Sequence, residues 1–278
     1  MAAMETLRRA TSQVRVVQVR PGALSERMDR LAGEEPMEIR VGPVGGPAEP
    51  VSVTMRTPGR DFELAAGFLF TEGVIGDNDV SKVSYCDDLD ADQAFNIVTV
   101  RCRRPPLSRG GRNFYTTSSC GICGKAALDQ IEVTCKPIRS NLTVAHDVIT
   151  ALPVSLRESQ KLFDQTGGLH AAGLFSSDGT PICVREDVGR HNAVDKVIGK
   201  MLLEGKLPLS ERLLFVSGRA SFEIVQKAAV AGLPFVCAVS APSSLAAEAA
   251  ERMGITLIGF LRDDGFNVYS HRERLVEK

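Results

Sequence analysis

The chain has almost no net charge. Its 33 lysines and arginines stand against 34 aspartates and glutamates, leaving −1 at neutral pH over 278 residues. Such a balance offers no global attraction to nucleic acid or to an anionic membrane surface, so an anionic partner has to be met by a local cluster of positive groups. Neither a nucleic-acid nor a membrane partner is expected. Long apolar runs are missing too. The longest, AAVAGLPFVCAVSAP, is broken by Pro234 and closed by Pro242, which fits a helix end, a turn and a buried strand better than a bilayer span. The first residues, MAAMETLRRATSQVRVV, lack the apolar core and small-residue cleavage pattern of a secretory signal, and a cytoplasmic location is expected. There is no internal repeat and no low-complexity tract. What is present, 44% hydrophobic and 24% charged residues, suits a globular protein that buries a substantial core.

An even set of cysteines is also lacking. The seven are Cys86, Cys102, Cys120, Cys123, Cys135, Cys183 and Cys237, an odd number that points to free thiols rather than to a disulfide framework. Cys183 and Cys237 lie in apolar, strand-like runs and read as small core residues.

Up to about residue 115, short alternating runs such as PMEIRV, VSVTMRT and FNIVTVRC predict a strand-rich N-terminal domain over 15–115. Within it, Phe62, Leu64, Phe68 and Leu69 are spaced for an amphipathic helix that covers a sheet. A Pro/Gly-rich loop with Arg101, Arg103, Arg104, Arg109 and Arg112 leads to the cysteine motif SSCGICGK, and GKAALDQIEV fits a short helix after it; the cysteine loop and its short helix span 116–144. From 145 to 278 the order is hairpin, helix, strand, helix, strand, helix, strand. The Asp178-Gly179 turn marks the hairpin, and the pattern predicts a mostly parallel sheet with helices on both faces.

Ligands of such sheets bind beyond the strand ends. Four junctions qualify, and they carry Arg190 and His191, then Arg219 and Ser221, then Ser243 and Ser244, then Asp263, Asp264 and Gly265. Helix N-termini with Gly or Ser and nearby arginines favour an anionic, nucleotide-like ligand, although Ser221, Ser240 and Ser243 taken singly are ordinary N-caps. His191, beside Asp187, Arg190 and Asp195, has a polar setting suited to acid/base work or ligand contact, whereas His170 lies inside a strand-like run.

Cys120 and Cys123 admit three chemistries. A zinc site could recruit Cys135 and His146, but the spacing is irregular and no second close pair exists. A thioredoxin-like pair should follow a strand, and here an Arg/Pro/Gly loop precedes it. A persulfide carrier needs a stabilised thiolate, which Lys125, the loop arginines and a helix N-terminus would supply. Residue chemistry leaves all three open.

Taken in order, SSCGICGK, TGGLHAAGLF, REDVGRHNAVDKVIG, SGRASFEIVQKAA, SAPSSLAAEAAE and LIGFLRDDGFNVYS resemble the formate dehydrogenase accessory sulfurtransferase family, FdhD/NarQ. The resemblance implies a sulfurtransferase acting through a cysteine persulfide. It would take sulfur from a cysteine desulfurase and pass it to the bis-molybdopterin guanine dinucleotide molybdenum cofactor, before that cofactor enters formate dehydrogenase. It implies a homodimer, with GDP as an analogue of the bound substrate and no structural metal. The persulfide falls on Cys120, with Cys123 as its partner, and the guanine dinucleotide falls on Phe260, Leu261, Arg262, Asp263, Asp264 and Gly265. The expected fold class is α/β, a cytidine-deaminase-like three-layer α/β/α C-terminal domain beside a smaller strand-rich N-terminal domain. RHNAV and GRASFE stand where deaminase zinc ligands would be, so deamination is not expected. The alternative reading is a molybdenum-cofactor-binding chaperone whose cysteine pair is structural or zinc-bound.

Overall fold

A computed structural model describes residues 10–86, 95–106, 136–262 and 264–277. Cys120, Cys123, Cys135, Lys125, Arg109, Arg112, Asp263 and the helix expected after Cys123 lie outside these residues.

The N-terminal part is built of strands, as the alternating runs suggest. β1 (Thr11–Arg20) and β2 (Ala23–Ala32) make a two-stranded ribbon that turns at Gly22, whose φ of 77° suits glycine. β3 (Glu35–Pro43), β4 (Glu49–Arg56), β5 (Val80–Tyr85) and β6 (Ile97–Cys102) form a four-stranded sheet in the order β4-β3-β6-β5, with β3 and β6 parallel. Helix α1 (Asp61–Thr71) crosses between β4 and β5. Nine of its eleven residues are buried, so it is enclosed all round instead of covering a sheet with one face.

What encloses it is the C-terminal part. After β7 (Val144–Ala145) come α2 (His146–Glu158), α3 (Lys161–Thr166), the hairpin of β8 (His170–Ser176) and β9 (Pro181–Asp187), and α4 (Arg190–Leu203). Then follow β10 (Arg212–Val216), α5 (Phe222–Val230), β11 (Phe235–Ala238), α6 (Ser244–Met253), β12 (Thr256–Arg262), β13 (Gly265–Val268) and β14 (Leu275–Val276). The main sheet runs β9-β8-β10-β11-β12-β13. Only β10, β11 and β12 are parallel to one another, which corrects the mostly parallel expectation. The outermost pairs, β8–β9 and β12–β13, are antiparallel hairpins with short connections, which parallel pairing does not permit, and β8 also pairs antiparallel with β10 across β9 and α4.

Strand alternation divides the core between the two faces. Leu213, Phe215, Phe235, Cys237 and Ile258 point to α2, where Ile149 and Leu152 meet them. Leu214, Val216, Val236 and Leu257 point to the opposite core, which holds residues of α4, α5 and α6 and continues through α1 to Met37, Ile39 and Val100 of the N-terminal sheet. Cys183 and Cys237 are both buried, and burial raises both thiol pKa values. The two parts meet at α1 and α4. A methyl built on Gly67 would lie 1.9 Å from the Asp195 carbonyl oxygen, and one on Gly199 would lie 1.8 Å from that of Glu63, so only glycine allows this approach.

Candidate functional site

β10 and β11 run parallel and end together, and the antiparallel β8 brings its own start to the same end. Ala172 lies opposite Val216, and His170 opposite Asp187. The loops after β9 and β10 therefore converge, and α4 and α5 begin beside one another. His191 Nε2 is 3.0 Å from Ser221 Oγ and 3.8 Å from Glu223 Oε2. A methyl on Gly218 would come 3.4 Å from His170 Nδ1 and 3.8 Å from Arg190 Cδ, which places both side chains against this loop.

The serines at the junctions differ in what they do. Ser243 is an ordinary cap, its hydroxyl accepting from the Ala246 N–H at 3.2 Å. Ser221 occupies the same position before α5 but makes no cap bond; its hydroxyl is turned to His191. Local helix chemistry thus accounts for Ser243 and leaves Ser221 to the cluster.

Burial, followed by the charges of Arg190 and Lys227, holds the His191 pKa down to about 4, with Glu223 and Glu72 opposing. His170 is lowered for the same first reason, burial, and then by Arg190. Both imidazoles are neutral at pH 7 and can accept a proton or a hydrogen bond. The Arg190 Nε is buried without a hydrogen-bond partner among the described residues, a donor left for something else to meet. Arg219 is exposed on the neighbouring loop. One half-buried arginine with a spare donor, one exposed arginine and two neutral imidazoles can hold an anionic group.

Most of the EDVGRHNAVDK motif serves another purpose. Glu186 accepts the Leu162 and Phe163 N–H groups at 3.0 and 2.7 Å and so caps α3. Asp187 is fully buried and accepts from the Gly189 N–H at 2.8 Å, the Asn192 amide at 2.9 Å and the Thr57 N–H at 3.2 Å, and pairs with Lys196 at 2.6 Å. Lys196 also donates to the Thr57 carbonyl at 2.9 Å, and Asn192 to that of Met55 at 2.8 Å. One turn further, Asp195 meets Lys227 at 3.0 Å and the Thr71 hydroxyl at 2.8 Å, while Lys227 reaches Glu72 at 3.0 Å. Burial works against the Lys227 charge, yet Asp195 and Glu72 raise its pKa above the ordinary lysine value. These residues staple α4 to the N-terminal sheet and α1. Arg190 and His191 are the members that face the strand tips.

Of the last predicted junction, Phe260 is 41% exposed with a left-handed φ of 52°, at a bulge where its N–H donates to the Ser240 carbonyl at 3.3 Å. Leu261, 1% exposed, belongs to the α2-side core. Arg262 and Asp264 are exposed, and Gly265 opens β13. His146 starts α2 with its ring edge-on to Phe266 at 5.8 Å. Among the described residues no group of three His, Cys, Asp or Glu side chains could hold a metal ion, and no helix is long and apolar enough to cross a membrane. Sequence reasoning missed Glu223, Lys227 and the Thr57 and Thr71 partners. The closely spaced charges of α4 were a signal that they needed partners, but not where those partners lay.

Fold and cluster define an α/β protein whose polar constellation sits at the tips of its central strands. The chain belongs to the FdhD/NarQ family, whose match spans residues 32–276. It is 49% identical over 277 residues to the sulfur carrier protein FdhD of Streptomyces coelicolor, covering 96% of each chain. It is 52% identical over 272 residues to the protein of the same name from Nocardia farcinica, covering 96% of this chain and 95% of that one. Among solved structures it is similar to a Desulfotalea psychrophila chain described as a formate dehydrogenase accessory protein, with a TM-score of 0.74 at 25% identity, over 96% of this chain and all of the other.

Proposed function

We propose that this protein is a sulfur carrier that acts through a persulfide on Cys120. The observation that carries the reading is the near full-length similarity to proteins named sulfur carrier protein FdhD. The Cys120 thiolate attacks the terminal sulfur of a cysteine desulfurase persulfide; the S–S bond of the donor breaks and the donor cysteine leaves as a thiolate. Cys123 then either takes the sulfur in relay or attacks Cys120, forming a disulfide and releasing the outer sulfur as hydrosulfide. The acceptor is the bis-molybdopterin guanine dinucleotide molybdenum cofactor, a substrate here, on its way to formate dehydrogenase. Its phosphates would lie at the strand tips against Arg190, Arg219, His191 and Ser221, and one guanine end against the Phe260–Gly265 segment. The protein works in the cytoplasm as a homodimer.

The test is mass spectrometry after incubation with a desulfurase and cysteine. The peptide that contains Cys120 should gain one sulfur atom, and the gain should vanish in Cys120→Ala. An unmodified peptide, or an adduct that persists in the variant, refutes the reading.

A further inference from the structure

The β1–β2 ribbon is tied to the rest of the chain at its root. There the Gly33 N–H donates to the Ala10 carbonyl at 2.8 Å, Arg30 donates to the Gln165 side chain on α3, and a methyl built on Gly168 would lie 3.9 Å from Ala32 Cβ. Toward the Pro21-Gly22 turn the apolar side chains become more exposed, from 56% at Met28 to 74% at Leu24 and from 60% at Val17 to 73% at Val19. The register sets Arg15 opposite Met28, Val17 opposite Glu26 and Val19 opposite Leu24, so all four apolar residues share one face. A two-stranded ribbon is marginal in water on its own, and an apolar patch of this kind marks a contact surface. A second exposed patch lies on the sheet into which the arm leads. β4 is the edge of that sheet, and while its Ser52 and Arg56 are buried, Val53 and Met55 are 50% and 48% exposed. Pro36 of β3, also exposed, stands opposite Met55. Only Gly33 and Glu34 separate β2 from β3.

We infer that a second copy of this chain covers both patches, the arm of each protomer lying over the β4 face of the other. Ten consecutive pairs keep the arm extended over about 33 Å. The exposure of both patches shows that they do not cover each other within one chain. A twofold axis near the arm roots lets both contacts form at once, and leaves neither patch open. A partner of another sequence would need a separate face for each patch, whereas one chain carries both halves. Charge does not oppose the contact, because Arg15 pairs with Glu26 at 3.7 Å within the arm patch and Arg40 pairs with Glu38, the residue opposite Val53. An arm about 33 Å long and about 10 Å wide that covers its own area of a facing surface, counted for both arms and both surfaces, removes roughly 1,300 Å² from water, inside the range of specific interfaces. The inference rests on the homodimer of the sulfur-carrier reading and gives it an interface; it does not depend on the persulfide. It also sets that interface beside the strand-tip cluster, since the Met55 carbonyl accepts from Asn192, two residues from Arg190.

Sedimentation velocity on the whole chain tests this. Wild-type protein should sediment as a dimer at micromolar concentration. Leu24→Glu on the arm and Val53→Lys on the sheet should each weaken the dimer by about thirtyfold or more. Both positions are exposed, so each variant should keep the wild-type circular dichroism spectrum. Mixing the two variants decides which surfaces meet. The mixed pair has one unaltered arm-to-sheet contact, and in its other contact the two new charges are opposite in sign, so the dimer should return. Arms that packed on arms, or sheets on sheets, would leave the mixture weak. A monomeric wild type, a variant that dimerises as tightly as wild type, or a mixture that stays monomeric overturns the inference. Sulfur loading of Cys120 is read separately by mass spectrometry. Its absence in a protein that dimerises in this way overturns the sulfur-carrier reading alone, and loading of a monomeric wild type overturns the interface alone.

Discussion

Replacing Gly199 by alanine tests the idea that α4, and with it the strand-tip cluster, is held in place by a backbone-to-backbone contact with α1. The new methyl would lie 1.8 Å from the Glu63 carbonyl oxygen and 2.7 Å from the Gly67 nitrogen. Both neighbours are main chain, so neither can rotate away. The helices would have to separate by about 1.5 Å to restore ordinary contact, and a gap of that size forfeits much of the dispersion between facing side chains. Overpacking of this severity costs about 3–4 kcal/mol. Alanine returns about 1 kcal/mol through its better helix propensity. The net loss is about 2–3 kcal/mol, which lowers the melting temperature by roughly 5–10 °C for a chain of this size. Gly168→Ala is the control: its methyl would meet nothing closer than 3.9 Å, and its effect should stay within about 0.5 kcal/mol. Thermal unfolding by circular dichroism measures both. A Gly199→Ala protein melting within about 2 °C of wild type would refute the reasoning.

Two further outcomes follow from the charges. Lys227→Met should destabilise the protein by about 3–5 kcal/mol in urea unfolding, because Asp195 is left buried without its cation; adding Asp195→Asn should recover a substantial part. The His191 ring should titrate in NMR with a midpoint near 4 and move toward 6.5 in Arg190→Gln. Because its folded pKa lies below the 6.5 of the unfolded chain, the stability it contributes is complete above pH 6.5 and is lost as pH falls from there to 4. A midpoint near 6.5 in wild-type protein contradicts the described burial.

Several elements were legible because their signals are local. Asp178-Gly179 fixed the β8–β9 hairpin, with Gly179 at a φ of 82°, and the apolar spacing in 190–203 together with the glycine after Met253 marked two helices. The strand-rich N-terminal region was equally readable, but the parallel pairing of β3 with β6 was not, since it joins segments separated by α1 and β5. α2 and α3 went unread, and α2 even carries Pro153 inside it. The candidate site was legible as a set of junctions. Which residue does what was not, because Ser221 and Ser243 look alike until one is seen to cap its helix and the other to meet His191. Leu261 shows the same limit: as a neighbour of Phe260 it reads as part of a ligand segment, and the bulge at Phe260 turns it into the same core as Ile258.

The staple formed by Asp187, Asn192, Asp195 and Lys196 also bears on how such proteins can diverge. Its partners are Met55, Thr57 and Thr71, which come from a different sheet and from α1. The two parts of the molecule therefore cannot be exchanged between relatives like cassettes. A chimera joined near residue 140 would carry an α4 fitted to one N-terminal sheet and confront it with another, and Arg190 and His191 would be re-aimed with no change in their own sequence. Met55 and Thr57 meet the staple through main-chain groups, so it is substitutions at 71 that should be inherited together with those at 195.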